Sequence, residues 1–323
     1  MIVVERIAEL RERCDASRRG SSGSPSQAPA PAAAVGKAAA AAGGTVGLVP
    51  TMGYFHEGHR SLMRAARADH DLVVTTIFVN PLQFGANEDL AGYPQDLAGD
   101  IAAAEAEGVD VLFVPSVAEM YPEPTVTTVH VAGLTEGLCG AARPTHFDGV
   151  TTVVAKLFSI VGPCAAYFGR KDFQQLVVVR RMAADLNLPV DVVGCPLVRE
   201  PDGVAMSSRN AYLSIAERDR ATGIFAALRV AAVAVEEGER DPARVGALVE
   251  AEGARHGLEF EYVEVARATD LTPFDRLDGE VVVAVAAVVG KARLIDNVTM
   301  QIAGTEVAID LGVITVAEQE IIS

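Results

Sequence analysis

Two histidines three residues apart, in the run His56-Glu57-Gly58-His59, are the first side chains in this chain whose types and spacing suggest chemistry. They close the segment PTMGYFHEGH (residues 50–59), between a short apolar run at 46–50 and a helical stretch at 59–68. Backbone N–H groups at a helix start favour an anion, and side chains at i and i+3 share one side of a helix. Gly53 and Gly58 let the backbone approach a ligand closely. Zinc is disfavoured, because H-E-x-x-H ligands stand at i and i+4 and this run is one residue short. Incidental surface histidines are the plain alternative. A second cluster is Gly169-Arg170-Lys171-Asp172, followed by Gln174 and Gln175. Here Lys171 can meet a phosphate or an adenosine group, and Asp172 can help hold magnesium or cap the next helix. A third is Met206-Ser207-Ser208-Arg209, whose two hydroxyls and guanidinium suit phosphate oxygens. Taken alone, a loop lysine, a capping aspartate and a common S-S-R tripeptide have bland readings too.

The elements that must position these groups are legible as alternating runs. Strands are expected at 46–50, 72–79 (LVVTTIFV), 109–114, 165–168 and 190–193, with helices at 59–68, 96–107, 150–160 and 173–185. β-Branched apolar strands alternating with such helices predict a parallel sheet covered on both faces, with ligands at the carboxyl ends of its strands. The first two clusters follow predicted strands, the histidine run after what reads as the first strand of the sheet. Beyond about 198 the texture changes to two helices (215–237, 242–256) and strands at 260–266, 281–289 and 292–295, which predicts a smaller α+β domain. The expected division is 1–197 and 198–323, with the third cluster at the junction. Residues 2–13 read as a short extended start and a short helix. The stretch 17–44 is so rich in Ala, Ser, Pro and Gly that 17–36 is expected to lack structure, while 38–42 could join a helix.

Composition narrows the partners. The 323 residues include 27 Lys and Arg against 43 Asp and Glu, a net charge of -16. That disfavours a nucleic-acid surface, which needs clustered cations. The longest apolar run, 281–289, is far short of the roughly 20 residues a membrane helix needs. Cys14, Cys139, Cys164 and Cys195 are widely spaced with no zinc pattern, as expected of free thiols in a reducing cytoplasm. No secretory signal is apparent in MIVVERIAELRERC.

The clusters carry a resemblance when read together. PTMGYFHEGH (50–59), IFVNPLQFG (77–85), YPQDL (93–97), RPTHFDGV (143–150), YFGRKDFQQL (167–176), VREPDGVAMSSRNAYL (198–213) and RLIDN (293–297) occur in one order. In these the chain resembles the pantothenate synthetases, within the nucleotidyltransferase superfamily that shares HIGH and KMSKS signatures; HEGH stands for the first and MSSR for the second. The resemblance implies a Rossmann-like doubly wound parallel sheet, a smaller α+β C-terminal lid domain, and homodimers formed through the N-terminal domain. It implies ATP-dependent joining of D-pantoate to β-alanine through a pantoyl adenylate, releasing AMP and pyrophosphate.

Carried over residue by residue, the nucleotide site comprises Met52, Gly53, Tyr54, Phe55, His56, Glu57, Gly58, His59, Gly169, Arg170, Lys171, Asp172, Val198, Met206, Ser207, Ser208 and Arg209. His59 is implied as proton donor, with His56, Lys171, Ser207, Ser208 and Arg209 also catalytic. Gln83 is implied for pantoate and β-alanine, Gln175 for pantoate, and Asn80, Arg143 and His146 for shaping the pocket. Magnesium would bridge the ATP phosphates, with Asp172 or Asp96 as candidate ligands. Four features depart from the family's pattern: Arg170 where glutamate is usual, Tyr54-Phe55 before HEGH, an insertion within residues 14–42 relative to the usual short helix and turn, and a tail after Gly304 for which an added strand is one role. Rivals are a shorter adenylyl- or cytidylyl-transferase and a nucleotide-binding regulator without catalysis. A tRNA synthetase is disfavoured by the acidity and by the lack of an anticodon-binding domain.

Overall fold

A computed structural model describes residues 1–20, 44–85, 90 and 92–315. In its first half β1 (Ile2–Val4), α1 (Ile7–Gly20), β2 (Val46–Thr51), α2 (Glu57–Asp69), β3 (Leu72–Ile77), α3 (Leu97–Ala106) and β4 (Val111–Phe113) follow one another. The short helices α4 (Val117–Met120) and α5 (Leu138–Ala142) precede α6 (His146–Val161), β5 (Cys164–Gly169), α7 (Phe173–Asp185) and β6 (Val190–Cys195). The six strands form one sheet in the order β1-β4-β3-β2-β5-β6, every pair parallel. One face is packed by α1, α6 and α7 through residues such as Leu10, Phe158 and Val178, and the other by α2 and α3 through Leu62, Met63 and Ala104. Strands buried on both faces explain why LVVTTI carries no polar alternation beyond its two threonines.

The strand carrying the histidine run is therefore central, not first: β1 takes the edge, and β2 lies between β3 and β5. The chain goes one way from β2 to β3 and β4 and the other way to β5 and β6. This reversal opens a crevice at the carboxyl ends of β2 and β5.

Helix α1 also differs from expectation. It continues through Gly20, so residues 17–20 are helical rather than unstructured. Cys14 is buried beneath the helix, and the Arg18 guanidinium donates to the Val161 and Pro163 carbonyls at 2.6 and 2.9 Å. Those bonds cap the C-terminus of α6 and order the last turn of α1. Residues 21–36 and the possible helix at 38–42 lie outside the described residues.

The remainder of the chain builds a separate C-terminal domain. After β7 (Val198–Arg199) come α8 (Ile215–Glu236), α9 (Pro242–Arg255), β8 (Phe260–Arg267), β9 (Gly279–Val289), β10 (Ala292–Ala303), β11 (Glu306–Asp310) and β12 (Val313–Ile314). An antiparallel sheet of order β11-β10-β9-β8 packs on α8 and α9. β10 extends well past the expected 292–295, because Ile302 still finds a partner in Gly279 across the hairpin. The tail supplies β11 as an added strand, and β12 pairs in parallel with β7.

Candidate active site

The histidines stand where the crevice opens. His56 is extended and precedes α2; its backbone N–H donates to His59 Nδ1 at 3.4 Å, and the two rings lie 4.1 Å apart. That bond makes Nδ1 of His59 the acceptor and leaves its proton on Nε2, a neutral ring that still donates. Burial first, then the neighbouring His59 and Lys171 charges, pushes the His56 imidazole down to about 2. His59 falls to about 4, with burial dominant, Asp172 pulling upward and Lys171 downward. Nδ1 of His56 is buried and finds no hydrogen-bond partner among the described residues. Without ligand, both rings are neutral near pH 7.

An acid not singled out in the sequence holds this loop. Asp100, buried in α3, accepts the N–H groups of Tyr54 and Phe55 at 2.8 and 2.6 Å. It thereby fixes a turn in which Gly53 and Tyr54 are both left-handed (φ 86 and 55). Burial raises the Asp100 carboxyl, against the two backbone hydrogen bonds that lower it. The legible signal was an acid four residues before Ala104, on the helix face that packs inward. Asp100→Asn turns an amide N–H toward one of those donors. It should lower kcat/KM about 10- to 100-fold, since small misplacements of reacting groups are that costly. Steady-state rates beside an unchanged circular dichroism spectrum check it, and rates within twofold of wild type contradict the clamp.

Two adjoining cavities, of about 730 and 240 Å³, occupy the crevice and share Tyr93, Lys171, Asp172, Gln175, Ser208 and Arg209 among their walls. The smaller is lined by Met52, His56, Gly58, His59, Gly169, Val198, Met206 and Ser207 as well. The three clusters are thus brought together at the ends of β2, β5 and β7. Tyr93, which enters the sequence only within YPQDL, lines both cavities. Asn297, on β10, donates to the carbonyls of Arg170 and Lys171 at 2.9 and 3.0 Å, so the C-terminal sheet holds the GRKD turn.

Gln83 faces the smaller cavity on a short turn built by four neighbours. Its amide donates to Met52 Sδ at 2.9 Å, and Asn80 donates to its Oε1 at 3.3 Å. Arg143 donates to His146 Nε2 at 2.9 Å, which leaves His146 Nδ1 to donate to the Gln83 carbonyl at 2.8 Å. Asn80 also bonds the Gly149 carbonyl, and a Cβ at Gly149 would stand 2.3 Å from the Leu82 carbonyl oxygen. The glycine in HFDGV therefore lets α6 press against the Gln83 turn. The paired glutamines divide: Gln174 is buried, bonded to Cys139, Leu134 and Gly137, while Gln175 lines both cavities.

Several of the expected site residues lie away from the two cavities. Tyr54 and Phe55 spend their N–H groups on Asp100, and with Gly53 they lie outside both linings. The Glu57 carboxylate pairs with Arg64 on the outer side of α2. The Arg170 guanidinium turns away from the cleft to Asp310 at 2.8 Å. Asp96 caps α3 by accepting the Gly99 N–H at 3.0 Å, and is in neither lining. Asp172 makes no cap bond to α7 and lines both cavities, 3.8 Å from Lys171.

The fold and the cleft define the class, an α/β protein whose central strand ends gather two histidines, a lysine and an S-S-R turn around one cleft. More narrowly, the chain belongs to the pantoate-beta-alanine ligase family, whose profile matches residues 27–299. It is 56% identical over 261 residues to a pantothenate synthetase of Heliobacterium modesticaldum, covering 80% of this chain and 93% of that one. A crystal structure of pantothenate synthetase from Thermus thermophilus superposes with a TM-score of 0.79 at 43% identity, covering 92% of this chain and 98% of that one. A Francisella tularensis pantoate-beta-alanine ligase, complexed with beta-gamma ATP and beta-alanine, has a TM-score of 0.71 at 29% identity over 92% of this chain and 97% of that one.

Proposed function

We propose that this chain condenses D-pantoate with β-alanine at the expense of ATP, releasing AMP and pyrophosphate. The observation that carries the reading is the convergence of His56, His59, Lys171 and Met206–Arg209 on one cavity with Gln83 and Gln175 in its wall. The support is geometric and comes from a family whose name states this reaction.

A carboxylate resists attack by an amine because expelling oxide is prohibitive. Adenylation supplies a leaving group. Pantoate, held by Gln83 and at its hydroxyl end by Gln175, attacks the α-phosphorus through its carboxylate, and pyrophosphate departs with the bond electrons. The β-alanine amine then attacks the acyl carbon of the pantoyl adenylate and expels AMP. His59 offers its Nε2–H to the phosphates while neutral, and their negative charge raises its proton affinity as pyrophosphate forms. Lys171, Ser207, Ser208 and Arg209 supply further fixed donors, the kind of stabilisation that is usually the largest catalytic contribution. Magnesium would accompany the ATP phosphates, where it would supply positive charge to the leaving group. Asp172 fits it, since such sites need only one or two carboxylates and this one is not used as a cap.

The domain boundary at 197/198, a homodimer joined through the N-terminal domain and a cytosolic setting complete the reading. They are supported respectively by the change of sheet there, by the family's habit, and by four free cysteines. Among the described residues no helix is long and apolar enough to cross a membrane.

The deciding assay mixes purified protein with ATP, magnesium and pantoate, with and without β-alanine, and follows AMP. Continuous AMP release should need both acids, and ¹⁸O in the pantoate carboxylate should pass to AMP. No AMP dependent on both substrates rejects the reading. AMP formed with a different acid keeps the chemistry and moves the substrate.

A further inference from the structure

Two features that stood outside the chemistry meet in space: Arg170, which leaves the cleft, and the tail beyond Gly304. Asp310, at the end of β11, uses Oδ2 for the Arg170 guanidinium at 2.8 Å and Oδ1 for the Gly312 N–H at 2.9 Å. Gly312 is left-handed (φ 81), and a Cβ there would stand 2.5 Å from the Leu197 carbonyl oxygen. Only glycine lets the chain turn so close to β7.

Beyond that turn, Val313 donates to the Leu197 carbonyl at 2.7 Å and Thr315 to the Arg199 carbonyl at 2.9 Å. The buried Arg199 side chain returns a bond to the Leu311 carbonyl at 2.6 Å. Val198 itself turns the other way, its carbonyl taking the Met206 N–H at 2.9 Å, on the side where both residues line the smaller cavity. The tail thus grips the back of the strand whose front belongs to the cleft. Through Arg170 it also grips the turn that presents Lys171 and Asp172.

We propose that residues 310–315 are a positioning strap for the nucleotide end of the cleft, with Asp310 and Gly312 as its positioning residues. The strap rests on the assignment of that end to ATP. It sets the spacing between the Gly169–Asp172 turn and the Val198 and Met206–Arg209 segment, so that one rigid nucleotide meets both. Pantoate, held by Gln83 on the turn against α6 and by Gln175 on α7, does not depend on it.

The test compares full-length wild type with Asp310→Ala, Gly312→Val, and the charge-exchanged double variant Arg170→Asp/Asp310→Arg. ATP, pantoate and β-alanine are varied in turn. Asp310→Ala should raise KM for ATP about three- to tenfold, leaving kcat at saturating ATP and KM for pantoate within twofold. Gly312→Val should do the same more strongly, and the double variant should recover only the part of the loss carried by the Arg170 pair, since arginine cannot accept the Gly312 N–H. An ATP KM that is unchanged or lowered in both single variants overturns the strap, as does a rise in all three KM values together, which marks general loosening. Wild-type protein that forms no AMP overturns the nucleotide assignment and the strap with it, an outcome visible before any variant is made.

Discussion

Replacing His59 with alanine should lower the rate of ATP- and pantoate-dependent AMP formation about 10²- to 10³-fold, the usual cost of removing one preorganised donor at a developing anion. The loss should appear in kcat, with ATP affinity changed less, because the Nε2–H matters most as charge moves onto pyrophosphate. His56, whose ring lies 4.1 Å away, and the N–H groups at the start of α2 remain and set the residual rate. His59→Asn is the sharper control. It keeps an acceptor near the Nδ1 position for the His56 N–H, lacks the Nε2 donor, and should lose activity without losing melting temperature. Near-normal turnover in either variant sinks the role.

The same histidine links the site to pH. Its folded value, about 4, lies below the ordinary 6.5, so the native state holds the neutral ring better than the unfolded chain does. This stability is fully present above about pH 6.5 and is lost as pH falls toward 4, by at most about 1.4 kcal/mol per unit. A melting-temperature profile between pH 7 and 4 should therefore be shallower for His59→Asn than for wild type. Parallel profiles would show that the ring's burial is not coupled to folding.

The largest effect on stability is expected at Asp296. Its carboxylate holds Arg199 through bonds of 2.6 and 3.0 Å, and both side chains are essentially inaccessible, at 2% and 0%. Arg199 also serves the carbonyls of Gly203, Asn297 and Leu311 and stacks over Phe225 at 3.9 Å. Asp296→Ala leaves that guanidinium buried and uncompensated, which should cost about 3–5 kcal/mol. The melting temperature should fall on the order of 10 °C, read by calorimetry at one scan rate. Arg199→Met/Asp296→Leu should recover much of the loss, because the attraction in such pairs is largely spent on desolvation. A single variant within 1 kcal/mol of wild type would mean that water reaches the site.

Much of the site was legible before any coordinates, and for local reasons. A turn suited to phosphate needs glycines, a helix start or donors within a few residues, so HEGH, GRKD and MSSR each stand out in sequence. The strand and helix runs that position them are also local, since burial on both faces leaves its mark as β-branched apolar stretches. The amino-acid order alone therefore determined the parallel sheet and the three clusters that meet at its strand ends.

Tertiary structure decided which members of those clusters face the cleft. Tyr54, Phe55, Glu57 and Arg170 are adjacent to site residues in sequence, yet Asp100, Arg64 and Asp310 draw them elsewhere. Asp100, Asn297 and the Arg199–Asp296 pair act through partners 45 to 127 residues away. Contacts of that span leave no periodicity. Whether a buried polar group clamps a loop or merely caps its own helix depends on which distant donors folding brings within 3 Å.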